Sequence, residues 1–204
     1  TVDIAEMVLI GSVGKEIVAR INLEGGRAVG ISGKDAGFIR TRKLYHRTVN
    51  EPDKTIDIGY VGEVESIDPG ILNALREKGF IPVISPVGVG EEGHAYNLNA
   101  DTAAGEIAAA LKAERLILLT DTPGVLKDKT DPQSLLSSLS AQGADELISA
   151  GTAAGGMIPK LRSCLRALGG GVKKTHIIDG RVPHSVLLEL FSNTGVGTQV
   201  YPDA

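Results

Sequence analysis

The stretch YVGEVESIDPGILNALREKGFIPVIS, residues 60–85, decides the fold class. Tyr60 to Ile67 reads as a strand, Pro69 to Lys78 as a helix with proline in its first turn, and Phe80 to Ser85 as a buried strand. Strand, helix and strand in succession are the unit of a parallel sheet. Working back from it, a polar loop containing Pro52 follows the alternating Phe38-Ile39-Arg40, and Ser32 to Asp35 reads as a turn after the strand Ala28 to Ile31. A helix over Lys15 to Glu24 precedes that strand, capped by Gly25-Gly26. The chain opens inside an apolar-periodic run, Val2, Ile4, Ala5, Val8 and Leu9, which reads as a helix already under way, so that more chain is expected before it.

Working forward, Ala100 to Leu111 is an alanine-rich helix, Arg115 to Leu119 an apolar strand and Gly155 to Leu168 a helix. Thr175 to Ile178 is a strand and Ser185 to Phe191 a helix. The alternation predicts an α/β fold, an αβα sandwich with a mainly parallel sheet. Residues 86–99 interrupt it as a glycine-rich hairpin, and residues 122–132 are candidates for a second. After the last helix, Gly195 to Thr198 reads as a glycine-rich turn into an edge strand. Across 204 residues, 42% are hydrophobic but only 3% aromatic, so the core is built from Val, Ile, Leu and Ala. A net charge of −4 with scattered Lys and Arg excludes a nucleic-acid footprint, and no apolar run is long enough to span a membrane. The single cysteine, Cys164, lies in a helical pattern as a buried thiol and fits a reducing, cytoplasmic compartment.

Gly88-Val89-Gly90-Glu91-Glu92-Gly93 matches a dinucleotide-binding pattern, but an alternating segment follows it where a helix N-terminus would have to hold phosphate. It is read as a hairpin, and no P-loop pattern occurs anywhere. In Asn97-Leu98-Asn99-Ala100-Asp101 a strand runs straight into a helix, placing Asn97 and Asn99 at one strand end and Asp101 in the first helical turn. Helix capping alone would account for such residues. Leu118-Leu119-Thr120-Asp121-Thr122-Pro123-Gly124-Val125-Leu126 sets a hydroxyl and a carboxylate at the carboxyl edge of the sheet, where α/β proteins bind ligands. Gly151-Thr152-Ala153-Ala154-Gly155-Gly156 is a glycine-rich loop opening into a helix, with Lys160 in the first turns, a fit for phosphate. No histidine stands in a recognisable pairing with a carboxylate.

In this order and spacing, the Asn97-x-Asn99-Ala100-Asp101, Leu118-to-Val125, Gly155-to-Lys160 and Ile177-Ile178-Asp179-Gly180-Arg181 motifs resemble the amino-acid kinase family, and within it the N-acetylglutamate kinase branch. The resemblance implies ATP-dependent phosphorylation of the side-chain carboxylate of N-acetyl-L-glutamate, in arginine biosynthesis. It implies Asn97 on the substrate, Asp101 organising catalytic lysines and Lys160 on the transferring phosphoryl group. ATP, with Mg²⁺, would be held by Asp121, Thr122, Pro123, Gly124, Val125 and Leu126 and by Thr152, Ala153 and Ala154. No residue is assigned to metal. Residues 1–99 would be the remainder of an amino-acid-substrate and dimerisation lobe, and 100–204 the ATP-binding lobe.

The family's lysine loop and substrate-holding glycines and arginine belong upstream of residue 1, so an N-terminally incomplete and impaired site is expected. The tail resembles the arginine-inhibited branch, which implies arginine near His184, Glu189 and Gly195 and a dimer or, with a further N-terminal helix, a hexamer; a PII-type protein is a candidate partner, above all if the chain is a regulatory subunit. A plastid location would follow in a plant or alga. Other readings are a kinase of the same family acting on aspartate, glutamate, carbamate or UMP, and a non-catalytic nucleotide- or arginine-binding regulatory protein.

Overall fold

The computed structural model describes residues 2–47, 55–128, 130–131, 133–192 and 194–203. Helix α1 (Val2–Glu6) continues through a π-helical stretch, Met7–Gly14, into α2 (Lys15–Leu23), so the two expected helices form one helical run. Ser85 Oγ, at the end of the strand Ile81–Ser85, donates to Leu9 O within the π-helical stretch at 3.2 Å. β1 (Ala28–Ser32) leads through a short 3₁₀ turn into β2 (Ile39–Arg47), and β3 (Thr55–Ile67) returns beside it. The expected strand at Tyr60 therefore begins five residues earlier, because β2 and β3 form one long antiparallel hairpin pairing Arg47 with Thr55. The expected polar loop around Pro52 lies outside the described residues. α3 (Gly70–Glu77), β4 (Ile81–Ser85), β5 (Val87–Val89), β6 (Ala95–Asn97) and α4 (Ala100–Ala110) follow.

The second half contains β7 (Arg115–Thr120), β8 (Ser138–Ser140), α5 (Ala141–Ser149), α6 (Met157–Gly169), β9 (Lys174–Asp179), α7 (Ser185–Phe191) and β10 (Thr198–Tyr201). β8 and α5 carry no expectation from the sequence. α5 starts on Ser140, whose hydroxyl accepts the Gly143 amide at 3.0 Å. At the candidate second hairpin, Leu126 pairs antiparallel with Leu135, with Lys127 N donating to Ser134 O and Leu136 N to Val125 O at 2.9 Å each, so the pairing reaches a few residues beyond the expected 122–132.

The chain divides into two compact units, Thr1–Ala103 and Ala104–Ala204. In the first, β1 and β4 pair in parallel, while β2, β3, β6 and β5 close into a small barrel around Ile39 and Val87, both fully buried. The glycine-rich segment is the antiparallel β5–β6 hairpin, as expected. A side chain at Gly88 would strike Thr41, and one at Gly90 would sit 2.6 Å from the Tyr96 ring, so these glycines serve close strand packing. In the second unit the strand order is β7-β9-β10-β8. β7–β9 and β10–β8 are parallel and β9–β10 antiparallel. β10, expected at an edge, lies inside the sheet between β9 and β8.

Ile177 of β9 joins Leu161, Cys164 and Ala167 of α6 in one buried core with Leu116, Leu118 and Val200. Its neighbour His176 points the other way and meets Glu189 of α7, so helices cover both faces and the α/β sandwich stands. Cys164 is a fully buried residue of that core. Among the described residues no helix is long and apolar enough to cross a membrane.

Candidate active site

A concavity in the second unit opens where β7 ends. Thr120 stands opposite Asp179 in the parallel β7–β9 register, and the Gly180 amide donates to Thr120 O at 2.8 Å, which holds the two strand ends together past the last pair. The chain then turns through Asp121 to Gly124. Gly124 has φ 149°, and a Cβ there would lie 2.7 Å from Thr198 Oγ1 and 2.8 Å from Leu135 Cδ1. Only glycine fits. The next amide, Val125 N, donates to the buried Thr198 hydroxyl at 2.8 Å, so β10 anchors this turn from beneath.

The opposite wall starts where α5 ends at Gly151, in the left-handed region at φ 70°. The loop Thr152–Ala154 follows, fixed by the buried Ala153, whose amide donates to Leu147 O at 3.0 Å. Gly155 (φ 57°) turns the chain into α6, which Gly156 caps with no side-chain hydrogen bond. The Met157 and Ile158 amides fold back on the Ala154 and Gly155 carbonyls at 3.3 Å each. This leaves the positive end of a 13-residue helix facing the opening, with Lys160 half-buried one turn in.

Between the walls is a cavity of about 420 Å³, lined by Thr120 to Leu126 without Pro123, by Thr152 to Ala154, and by Gly156, Met157 and Lys160. The structure thus gathers nearly every residue expected around ATP, together with Lys160; Pro123 alone of the turn stays out of the lining. Thr120, Gly156 and Met157 join the lining beyond the expected set, and their motifs held the signal. Thr198, which holds the turn in place, carried no signal, because its partner lies 73 residues away.

At the end of β9, opposite Thr120, Asp179 pairs with Arg181. Arg181 Nε and Nη2 donate to the two Asp179 oxygens at 2.9 and 2.8 Å, and the Arg181 amide adds a third bond at 2.9 Å. The Arg181 side chain first, then its amide, hold the Asp179 carboxyl down at about 2. Asp179 in turn pushes the guanidinium up, with a smaller contribution from Asp121. Inside the pocket region, Thr122 Oγ1 is buried with no hydrogen-bond partner.

The remaining expected residues are not among those that line this cavity. Asn97 ends β6, half-buried and paired with Val61 and Val87. Asn99 does act as a cap, its Oδ1 accepting the Thr102 amide at 2.9 Å and hydroxyl at 3.1 Å. Asp101 occupies the first turn of α4, half-buried. The expectation that no histidine pairs with a carboxylate fails: His176 Nδ1 lies 2.7 Å from Glu189 Oε1, both side chains nearly buried. The partners are 13 residues apart, on a strand and a helix, beyond any local pattern. Glu189 Oε2 also accepts the Val196 and Gly197 amides at 2.7 and 3.0 Å. Burial pushes this carboxyl up, but the Val196 amide, His176 and the Gly197 amide together hold it below its ordinary value. Glu189 and Gly195 (φ 65°) are therefore neighbours, with the carboxylate already engaged, while His184, also left-handed at φ 60°, precedes α7.

The carboxyl end of a parallel strand pair, with an Asp-turn facing a glycine loop, helix end and lysine, is a ligand-site arrangement of an α/β protein. The amino acid kinase family model matches residues 1–179, and the chain belongs to that family. It is 55% identical to an acetylglutamate kinase of Moorella thermoacetica over 99% of its own length and 69% of the relative's. An acetylglutamate kinase of Heliobacterium modesticaldum is 54% identical over 98% of this chain and 68% of the relative. Among solved structures, an N-acetylglutamate synthase from Neisseria gonorrhoeae, complexed with coenzyme A and N-acetyl-glutamate, superposes with a TM-score of 0.80 at 28% identity, covering 95% of this chain and 42% of that one.

Proposed function

We propose that this chain transfers the γ-phosphoryl group of ATP to the side-chain carboxylate of N-acetyl-L-glutamate, giving an acyl phosphate and ADP, in arginine biosynthesis. The observation that carries the proposal is the 55% identity, over 99% of the chain, to a relative named acetylglutamate kinase. The cavity supports it. Phosphoryl transfer needs positioning and charge stabilisation more than covalent chemistry, and a carboxylate acceptor needs no general base.

In this reading Asp121 to Leu126 and Thr152 to Ala154 hold ATP. Lys160 and the α6 N-terminus stabilise charge on the moving phosphoryl group, Asp101 organises the lysines and Asn97 contacts the substrate. Residues 1–99 serve the amino-acid substrate and subunit pairing, and 100–204 serve ATP. Among the described residues no group of three or more His, Cys, Asp or Glu side chains could hold a metal ion, so Mg²⁺ fits as a companion of the triphosphate, which supplies oxygen ligands itself. When bound, it neutralises charge on the β- and γ-phosphate oxygens. The proposal extends to a cytoplasmic homo-oligomer with arginine as feedback inhibitor near His184, Glu189 and Gly195. Any guanidinium arriving there has to compete with the present bonds of Glu189.

The test is ADP release from MgATP with N-acetylglutamate, glutamate, aspartate, carbamate and UMP as acceptors. For this assay the 204 residues replace the matching part of the Moorella relative. N-acetylglutamate is the expected acceptor. Preference for another acceptor overturns the substrate, and nucleotide binding without ADP release from any of them points to a regulatory protein.

A further inference from the structure

Three threonines line the cavity, and they differ in what their hydroxyls do. Thr120 Oγ1 donates to Asp121 at 3.3 Å. Thr122 Oγ1 is closed off from solvent and bonds to nothing, although the residue itself forms part of the cavity wall. A buried hydroxyl without a partner costs about 1–3 kcal/mol, and native folds keep such groups where a ligand or water completes them. Valine has the same shape without that cost, so packing alone gives no reason for threonine here.

Position narrows the ligand. Thr122 sits on the same turn as Val125 and Leu126, which are apolar, whereas the phosphate-attracting groups, the Gly156 helix end and Lys160, come from the facing wall. Threonine also has more than one staggered rotamer, so a rotation about Cα–Cβ can carry Oγ1 from its buried position to the cavity wall. We infer that Thr122 is a specificity-determining residue whose hydroxyl hydrogen-bonds the nucleoside half of the bound triphosphate, either the base edge or the ribose. This rests on the cavity being the nucleotide site. Its consequence is selectivity: a site built to hydrogen-bond a ligand group rejects analogues lacking that group, because its own polar atom is left unpaired.

The experiment is calorimetric titration of the chain, Thr122→Val and Thr122→Ser with MgATP, MgGTP and Mg-2′-deoxy-ATP, with melting temperatures recorded alongside. Thr122→Val is expected to bind MgATP about ten-fold more weakly while melting no lower than the parent, and Thr122→Ser to stay within about two-fold. A ribose contact shows as an equal affinity of parent and Thr122→Val for the 2′-deoxy nucleotide, and a base contact as loss of the preference between MgATP and MgGTP. Equal MgATP affinity of parent and Thr122→Val overturns the inference while leaving the nucleotide site standing. Failure of the parent chain to bind any nucleotide overturns the assignment of the cavity itself, and the role of Thr122 with it.

Discussion

At Gly156 an added methyl group would meet nothing within 4 Å, and the backbone has ordinary helical torsions, φ −64° and ψ −12°. The fold alone gives no reason for glycine there, unlike Gly124, where two side-chain contacts under 3 Å and a φ of 149° both work against a Cβ. Open space at a helix end inside a cavity is what close approach of a phosphate requires. Gly156→Ala should therefore leave stability within about 1 kcal/mol, since the weaker helix cap and the lower entropy of the unfolded chain act in opposite directions. It should weaken MgATP binding by roughly ten-fold or more, and unchanged affinity by calorimetry would mean that phosphate does not sit at this helix end. Lys160→Ala, tested in the Moorella chimera, addresses the chemistry. The loss of one preorganised charge should lower kcat by about 10²-fold with little change in KM for ATP. A matching loss of ATP affinity with kcat intact would reassign Lys160 to ground-state binding.

Helices α2, α3 and α6 end in the same way: a left-handed glycine (Gly25, Gly79, Gly171) and a paired set of bonds, such as Gly26 N to Ile21 O at 2.9 Å and Gly25 N to Asn22 O at 3.1 Å. After α4 the same bonds recur, Lys112 N to Ala109 O at 3.0 Å and Ala113 N to Ala108 O at 2.9 Å, but the left-handed residue is the exposed Lys112 at φ 47°. Lys112→Gly removes a conformational cost of about 1–2 kcal/mol and adds roughly 0.5–1 in unfolded-state entropy. A net gain near 0.5–1 kcal/mol in urea unfolding is expected; a loss would mean that Lys112 makes a compensating contact. These ends were legible because glycine before an apolar run marks them. The π stretch was not, since its apolar spacing also suits an α-helix, and neither were β8 and α5, whose Ser-rich approach reads as loop.

The α7–β10 connection depends on the Glu189 carboxylate. Its folded pKa lies below the ordinary value, so its contribution to stability is present above that value, near 4.3, and is lost as pH falls through the folded pKa. Exchange protection of the Val196 and Gly197 amides should fall in that acid window before the β9 amides are affected. Protection that persists until global unfolding would show that Glu189 does not hold the connection.

For the molecule as a whole, the sequence revealed the order of elements and the Asp121-turn, glycine-loop and Lys160 walls, because each is a local pattern at a strand or helix end. Closure of β2, β3, β6 and β5 into a small barrel, the interior position of β10 and the Thr198 and Glu189 anchors depend on partners distant in sequence, so no local pattern displayed them. The Asp179–Arg181 clamp, two residues apart, was visible as a motif, though its three bonds were not. The central claim concerns the product. The Moorella chimera, incubated with MgATP, N-acetylglutamate and hydroxylamine, should yield the hydroxamate of the side-chain carboxyl in amounts equal to the ADP released. The yield should drop about 10²-fold in Lys160→Ala. A folded chimera that binds MgATP, yet gives no hydroxamate with N-acetylglutamate, would contradict phosphorylation of that carboxylate by this chain.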